Sequence, residues 1–280
     1  MSAMLYLVPT PIGNLGDISQ RCRETLENAD FIAAEDTRVT LKLLNHLGIK
    51  KSLVSYYEHN KAAQGSRIVE RILSGETCAL VSDAGSPAIS DPGEDLVKQC
   101  AAAGIPVCAI PGPCAAITAL SISGQATGRF CFEGFLSTAK KSRREHLERL
   151  KNEQRTMIFY EAPHKLLTTL ADMAAIFGGE RPLSLCRELT KLHEEVVRTT
   201  LAEALERYTE TPPKGEFVLI LAGAKPEEKQ TPSQTDAAAR LAELIDQGLS
   251  RKDAVKQTAK ELGLSKNAVY EIALKDSEEE

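Results

Sequence analysis

Three times in its first 115 residues the chain runs through a short apolar stretch into a loop dense in proline and glycine, and then into a helical pattern. Met4–Val8 empties into Pro9-Thr10-Pro11-Ile12-Gly13-Asn14-Leu15-Gly16-Asp17. Cys78–Val81 empties into Ser82-Asp83-Ala84-Gly85-Ser86-Pro87-Ala88-Ile89-Ser90-Asp91-Pro92-Gly93, and Ile105–Ile110 into Pro111-Gly112-Pro113-Cys114-Ala115-Ala116. Apolar runs of this length, separated by amphipathic helices, are buried strands that helical crossovers return to one edge of a sheet. The expectation is an α/β fold whose loops converge at the carboxyl ends of parallel strands, where open α/β sheets hold their ligands. Gly85 lets a ligand approach the backbone where a Cβ would obstruct it. Taken singly, each loop reads equally well as an ordinary connection.

Between these junctions, Phe31–Ala34 and Ser52–Tyr56 read as strands, and Ser19–Asn28, Leu41–Leu47, Lys61–Ser74 and Glu94–Ala103 as helices. Glu35-Asp36-Thr37-Arg38 is either a helix N-cap with its first-turn carboxylates or the rim of a site. Tyr57-Glu58-His59-Asn60 could stack on a base and bond its edges, or be loop decoration. From Phe130 the pattern changes to closely spaced strands at Phe130–Phe135, Arg155–Tyr160, Pro182–Arg187, Glu194–Thr200 and Phe217–Ala222 with few helices between them, which predicts a second α/β domain built on a mixed sheet. Between Lys140 and Arg155 seven Lys/Arg stand against three Glu. That excess suits a phosphate backbone, and a solvated helix face explains it too.

Residues 224–235 read as a linker, and 236–247, 250–262 and 265–274 as three short helices, the last two spaced as a helix-turn-helix. Ser250 with Asp253 predicts the N-cap of the second, and Gly263 its end. The expected division is therefore an N-terminal α/β domain over 1–122, a second over 123–223, the linker 224–235 and a helical module over 236–275. The last two helices carry five basic residues to two acidic between Arg251 and Lys266, so they fit either nucleic-acid contact or a small packing module.

Composition excludes several classes. No apolar run nears the roughly 20 residues that span a bilayer, and the N-terminus lacks a signal-peptide pattern. The seven cysteines are scattered, mostly inside apolar runs, and form no CxxC pair, so reduced core thiols in a cytoplasmic protein are expected, with no metal site. A net charge of −5 leaves room for local basic patches only.

With the three loops, Phe159-Tyr160-Glu161-Ala162-Pro163-His164 and Lys214-Gly215-Glu216-Phe217-Val218-Leu219-Ile220 together, the sequence resembles the tetrapyrrole methylase superfamily of S-adenosylmethionine (SAM)-dependent methyltransferases. Within it the resemblance is to the ribosomal RNA small subunit methyltransferase I group, over about residues 4–223 and again over the terminal helices. It implies two α/β domains with SAM in the cleft between them, a homodimer, and methylation of a cytidine ribose 2′-hydroxyl in the decoding region of 16S rRNA, whether as free rRNA or in the assembled small subunit.

The family's Gly-x-Gly-x-Gly-Asp loop falls on Pro9–Asn14 and keeps only Gly13 of its glycines, so that contact passes to Pro11 or Ile12. Its Gly-Gly-Asp-Pro falls on Ala84-Gly85-Ser86-Pro87, with Ile89 against the adenosyl or methionine part. Ser86 replaces the aspartate and Asp83 lies just upstream, which leaves the polar contact open between them. Pro-Gly-x-Thr-Ala falls on Pro111–Ala115, placing Cys114 and Ala115 at the cofactor, and Glu161, Leu189 and Glu216 fall at or near the remaining contacts. RNA would be held by Lys140, Arg143 and Arg144, joined by Arg38, Arg187 and Lys191.

A ribose hydroxyl is a poor nucleophile and profits from a proton acceptor, for which His59, Asp36, Asp83 and Glu161 are the candidates. Two rival functions remain at this stage: a tetrapyrrole methyltransferase sharing the cofactor site, and a SAM-sensing DNA-binding regulator that uses the terminal helices.

Overall fold

The computed structural model describes residues 3–225 and 234–275. The chain falls into two compact units, Met1–Ala224 and Lys225–Glu280. The first unit holds two five-stranded sheets. Strands β1 (Leu5–Leu7), β2 (Phe31–Ala34), β3 (Ser52–Ser55), β4 (Cys78–Val81) and β5 (Val107–Ala109) form a parallel sheet in the order β3-β2-β4-β1-β5. All four residues of β2 and of β4 are buried, because alternate side chains feed opposite cores. Phe31, Ala33 and Leu80 pack with α3 (Lys61–Leu73) and α4 (Gly93–Ala102) on one face, and Ile32, Ala34 and Val81 with α1 (Gln20–Asn28) and α2 (Thr37–Leu47) on the other. The loop after β1 therefore leads to one face and the loop after β4 to the other. Because β1 and β4 are neighbours, a crevice opens between them at the switch point.

The second sheet contains β6 (Phe130–Phe135), β7 (Thr156–Glu161), β8 (Pro182–Arg187), β9 (Glu195–Thr200) and β10 (Phe217–Leu221) in the order β6-β7-β10-β8-β9. Only β6 and β7 pair in parallel, so the expected mixed sheet is present. Its outer face carries α6 (Lys140–Arg149), α7 (Pro163–Phe177) and α8 (Leu201–Glu210) over Leu147, Phe159, Leu170, Leu201 and Leu219. Its inner face packs Ile158, Cys186 and Ile220 against Ala116, Ala119 and Leu120 of α5 (Ala115–Ser123). The apolar side of α5 thus belongs to the second sheet, although the sequence division counts this helix with the first. The expected 122/123 boundary falls inside α5, and both sheets lie in one compact unit.

In the second unit, α9 (Gln234–Asp246), α10 (Arg251–Leu262) and α11 (Lys266–Lys275) enclose a small core of Leu241, Leu244, Ala254, Val255, Ala259 and Val269. As expected, Ser250 caps α10 by accepting from the Asp253 amide, and Gly263 ends it in the left-handed region. Of the expected linker, residues 226–233 lie outside the described residues. Among the described residues no helix is long and apolar enough to cross a membrane.

Candidate active site

The three turns found in the sequence are bonded to one another. Thr10 and Gly85 exchange both backbone hydrogen bonds at 3.0 Å, joining the loop after β1 to the loop after β4. The Ser86 hydroxyl donates to the Pro113 carbonyl at 2.9 Å, joining the loop after β4 to that after β5. Gly85 is required here: its φ is +86°, and a Cβ would stand 3.3 Å from Ile12 Cγ2. Beyond it the chain tightens again, with Ala88 and Ser90 at positive φ, a conformation costing roughly 1–2 kcal/mol for a residue with a side chain. The Asp91 carboxylate offsets this by accepting from the amides of Ala88 at 2.8 Å and Gly93 at 2.7 Å, and the buried Tyr56 hydroxyl donates to the Pro92 carbonyl. So braced, the loop holds Ile89 half exposed.

These turns, the carboxyl ends of β6, β7 and β8 and the amino end of the antiparallel β10 line a cavity of about 440 Å³, within the range of small-molecule sites. Ile12, Asp83, Ala84, Gly85, Ser86, Ile89, Cys114 and Ala115 line it from the three turns, and Glu161, Leu189 and Glu216 from the second sheet. Pro11 does not. The pairing of Thr10 with Gly85 places Pro11 in a separate cavity of about 230 Å³ with Val39, Leu43 and His46 of α2, so of the two alternatives in the first loop only Ile12 reaches the main cavity. Sequence reasoning missed Glu35, Asp91, Phe135 and Tyr160, which also line it. Glu35 carried a signal, since it directly follows a buried strand, and Tyr160 stands beside Glu161.

The electrostatics of this lining are one-sided. Glu35, Asp83, Asp91, Glu161 and Glu216 contribute carboxylates, and Lys191 is the sole Lys or Arg among the lining residues. Burial, reinforced by the charges of Asp83, Asp91 and Asp36, raises the Glu35 carboxyl above its ordinary range. Burial raises Asp83 and Asp91 as well. A cationic ligand would relieve this repulsion.

The four proton-acceptor candidates separate clearly. Asp36 caps α2 through the Arg38 amide, and its bonds to Arg38 hold its carboxyl down to about 2. Glu161 is buried with both oxygens engaged, one by the Ala162 amide at 2.9 Å and one by the Thr169 hydroxyl at 2.5 Å. His59 is exposed, lies edge-on to Tyr57 at 6.2 Å and is not among the cavity residues. Asn60 spends its side chain on the Tyr57 amide and the Ser55 carbonyl, so that cluster is a local turn. Asp83 is in the cavity, accepts the Asp36 amide at 3.0 Å through one oxygen, and is the candidate whose carboxyl is raised.

Among the basic residues, Arg143 is a correction. Its side chain points inward beside Leu147 and is 7% exposed. It reaches Asp172 of α7 at 2.7 Å and the carbonyls of Ser137 and Thr138. A guanidinium so enclosed cannot meet an RNA phosphate. Arg144 shares Asp172 while remaining 41% exposed. Lys140 is exposed on α6. Arg38 is exposed and paired with Asp36, and Arg187 is partly buried with Glu195. Lys191 lies at the cavity, its ammonium 2.9 Å from both Glu188 and Glu216.

Comparison with known proteins agrees with this arrangement. A family model described as Tetrapyrrole (Corrin/Porphyrin) Methylases matches residues 4–205, and one described as the RsmI C-terminal HTH domain matches residues 231–277. The chain is 49% identical over 271 residues to the Ribosomal RNA small subunit methyltransferase I of Synechocystis sp., covering 97% of each protein. It is 50% identical over 272 residues to the protein of the same name from Halalkalibacterium halodurans, covering 96% of this chain and 93% of that one. The solved uroporphyrin-III C-methyltransferase of Thermus thermophilus complexed with S-adenyl homocysteine shares the fold, with a TM-score of 0.56 and 15% identity over 78% of this chain and 97% of that one. The chain belongs to the tetrapyrrole (corrin/porphyrin) methylase family and, within it, to the ribosomal RNA small subunit methyltransferase I family.

Proposed function

We propose that this protein is a SAM-dependent methyltransferase that methylates the ribose 2′-hydroxyl of a cytidine in the decoding region of 16S rRNA, acting in the cytoplasm as a homodimer. The observation that carries the reading is the meeting of three strand-end turns with Glu161, Leu189 and Glu216 around one carboxylate-rich cavity, in a chain whose relatives bear the rRNA methyltransferase name along nearly their whole length.

The residues present suit the cofactor. Ala84, Gly85, Ser86 and Ala115 leave backbone and small side chains against it, Leu189, Cys186 and Val218 supply apolar surface, and the surplus of carboxylates favours a cation. SAM supplies a methyl carbon made electrophilic by its attachment to a sulfonium. The chain's part is to hold the acceptor oxygen in line and keep water away, which can provide much of the acceleration. Asp83 accepts the proton of the 2′-hydroxyl through the oxygen that does not bond Asp36, its raised basicity suiting that role. Lys140 and Arg144 hold phosphates; Lys191, tied to two glutamates, positions the 188–191 turn beside Leu189.

The test is labelled SAM offered to assembled small subunits, free rRNA and a precorrin in competition, followed by mapping of the labelled nucleotide. Label on one cytidine ribose, resistant to alkaline cleavage, is the expected result. Transfer to the precorrin alone overturns the reading in favour of a tetrapyrrole substrate, and transfer to neither with sequence-independent duplex DNA binding points to a regulator.

A further inference from the structure

The end of β6 is shaped by a bulge. Phe132 pairs with Ile158, Gly134 with Phe159 and Phe135 with Tyr160, leaving Glu133 as the extra residue. In a regular strand Phe132 and Phe135 would point to opposite faces. The bulge puts both on the inner face, where bulges beside active sites commonly re-aim a side chain. Gly134 makes this possible at φ +63°, and a Cβ there would come 3.0 Å from the Ser90 hydroxyl. The strand end therefore abuts the braced loop after β4.

The result is a row of three rings. Tyr160 lies 5.1 Å from Phe132 and 5.4 Å from Phe135, centroid to centroid, and its hydroxyl is fixed by the Ala116 amide at 3.1 Å. Phe132 and Tyr160 are partly buried in the inner core. Phe135 is the outermost ring, 57% exposed although it lines the cavity. A large apolar ring braced from behind and left open toward a ligand site is arranged to receive a flat partner. The segment that follows it, residues 137–142, is exposed throughout and carries Lys140 and Lys141. A planar group attached to phosphate matches both features.

We propose that Phe135 is the stacking platform for the base of the target nucleotide, held unstacked from its RNA neighbours while Lys140 and Lys141 take the adjoining phosphates. The inference rests on the rRNA reading and adds where the base lies. RNA readers commonly hold splayed-out bases against aromatic rings, and because every base has a π-face the platform is indifferent to base identity. Selection of cytidine then falls to polar groups elsewhere in the cavity.

The test is a series at this position, Phe135→Ala, Phe135→Leu and Phe135→Trp, assayed for kcat/KM on assembled small subunits and for SAM binding by calorimetry. The expected result is a loss of about 5- to 100-fold in kcat/KM for Ala. Leu, which keeps apolar bulk without a π-face, falls with it, while Trp retains activity. SAM affinity and melting temperature stay at the wild-type values. Leu matching wild type overturns the proposal in favour of simple apolar contact, and a fall in SAM affinity parallel to the fall in activity overturns it in favour of a cofactor shelf. Both outcomes leave the rRNA reading intact as long as the wild-type enzyme labels its cytidine; transfer by the wild type to a precorrin and not to RNA overturns both.

Discussion

The guanidinium of Arg143 lies 2.7 Å from the carboxylate of Asp172, and neither side chain is more than 8% exposed. This pair closes α6 onto α7 over the core of the second sheet. Removing Asp172 strands the buried Arg143 guanidinium, which costs roughly 3–5 kcal/mol, whereas removing Arg143 leaves Asp172 its second partner, Arg144, at 3.0 Å. Asp172→Ala is expected to lower the melting temperature by about 6–15 °C, and Arg143→Met, which keeps the stem packed and leaves Asp172 paired with Arg144, by less. Arg143→Met introduced with Asp172→Ala should recover much of the loss in thermal melts, because no buried charge is then left alone and Arg144 is partly solvated.

Lys140 and Lys141 stand on the same helix in solvent, so their removal should leave stability alone. Replacing both by Ala is expected to weaken RNA binding and to reduce the slope of log affinity against log salt by about 1.4, if each meets one phosphate of a single strand. Filter binding at several salt concentrations reads this directly, with SAM affinity as the unchanged control.

Asp83→Asn keeps an oxygen for the Asp36 amide while removing the basic group. A loss of roughly 10²–10⁴-fold in kcat with little change in SAM binding is expected. In the wild type the rate should fall as pH drops through the raised Asp83 pKa, since the protonated carboxyl cannot accept. The variant should lack that acid limb in its pH–rate profile.

Glu35 also has a backbone hydrogen bond at Asp83, but burial and the neighbouring carboxylates outweigh it, and its raised pKa has a definite sign for stability. The folded chain binds its proton more readily than the unfolded chain, so the group favours folding at low pH and that contribution is lost as pH rises through the folded value. Glu35→Gln is therefore expected to melt higher than wild type at neutral and alkaline pH, with the gain shrinking as pH is lowered. Paired melts at pH 8 and pH 4.5 check it.

The surplus of carboxylates in the cavity also sets a ligand preference. SAM carries a sulfonium charge that S-adenosylhomocysteine lacks, so the ratio of their affinities should favour SAM more strongly at high pH. It should decline as Glu35, Asp83 and Asp91 take up protons. Calorimetric titration of both ligands across pH 5 to 8 measures the trend; a pH-independent ratio would show that the carboxylates do not sense the sulfonium.

What could be read from the sequence was whatever local chemistry dictates. β4 and its loop are legible because four apolar residues followed by Ser, Asp, Gly and Pro admit few conformations, and the other two turns repeat the signal. Arg143 was misread because a run of basic residues at the start of α6 says nothing about which one faces inward. The clue was its spacing of four from Leu147, and the deciding partner, Asp172, lies 29 residues away. Pro11 was left as an alternative to Ile12 because only the Thr10–Gly85 pairing shows to which side of the loop each residue turns. Phe135 was invisible as a cavity residue, since a bulge is a property of pairing with β7 and strict alternation would have turned the ring to the other face.

The strand order of the second sheet has a consequence for synthesis. Its middle strand, Phe217–Leu221, is the last of the five in the chain and separates β7 from β8. While the polypeptide is emerging, the parallel sheet can assemble as soon as residue 109 is free, but the wall carrying Glu161 and Leu189 remains two unjoined fragments with bare edges until residue 221 has left the exit tunnel. A nascent chain therefore has Lys140 and Lys141 long before it has a closed cavity, and a product terminated before that strand is expected to expose those edges to aggregation.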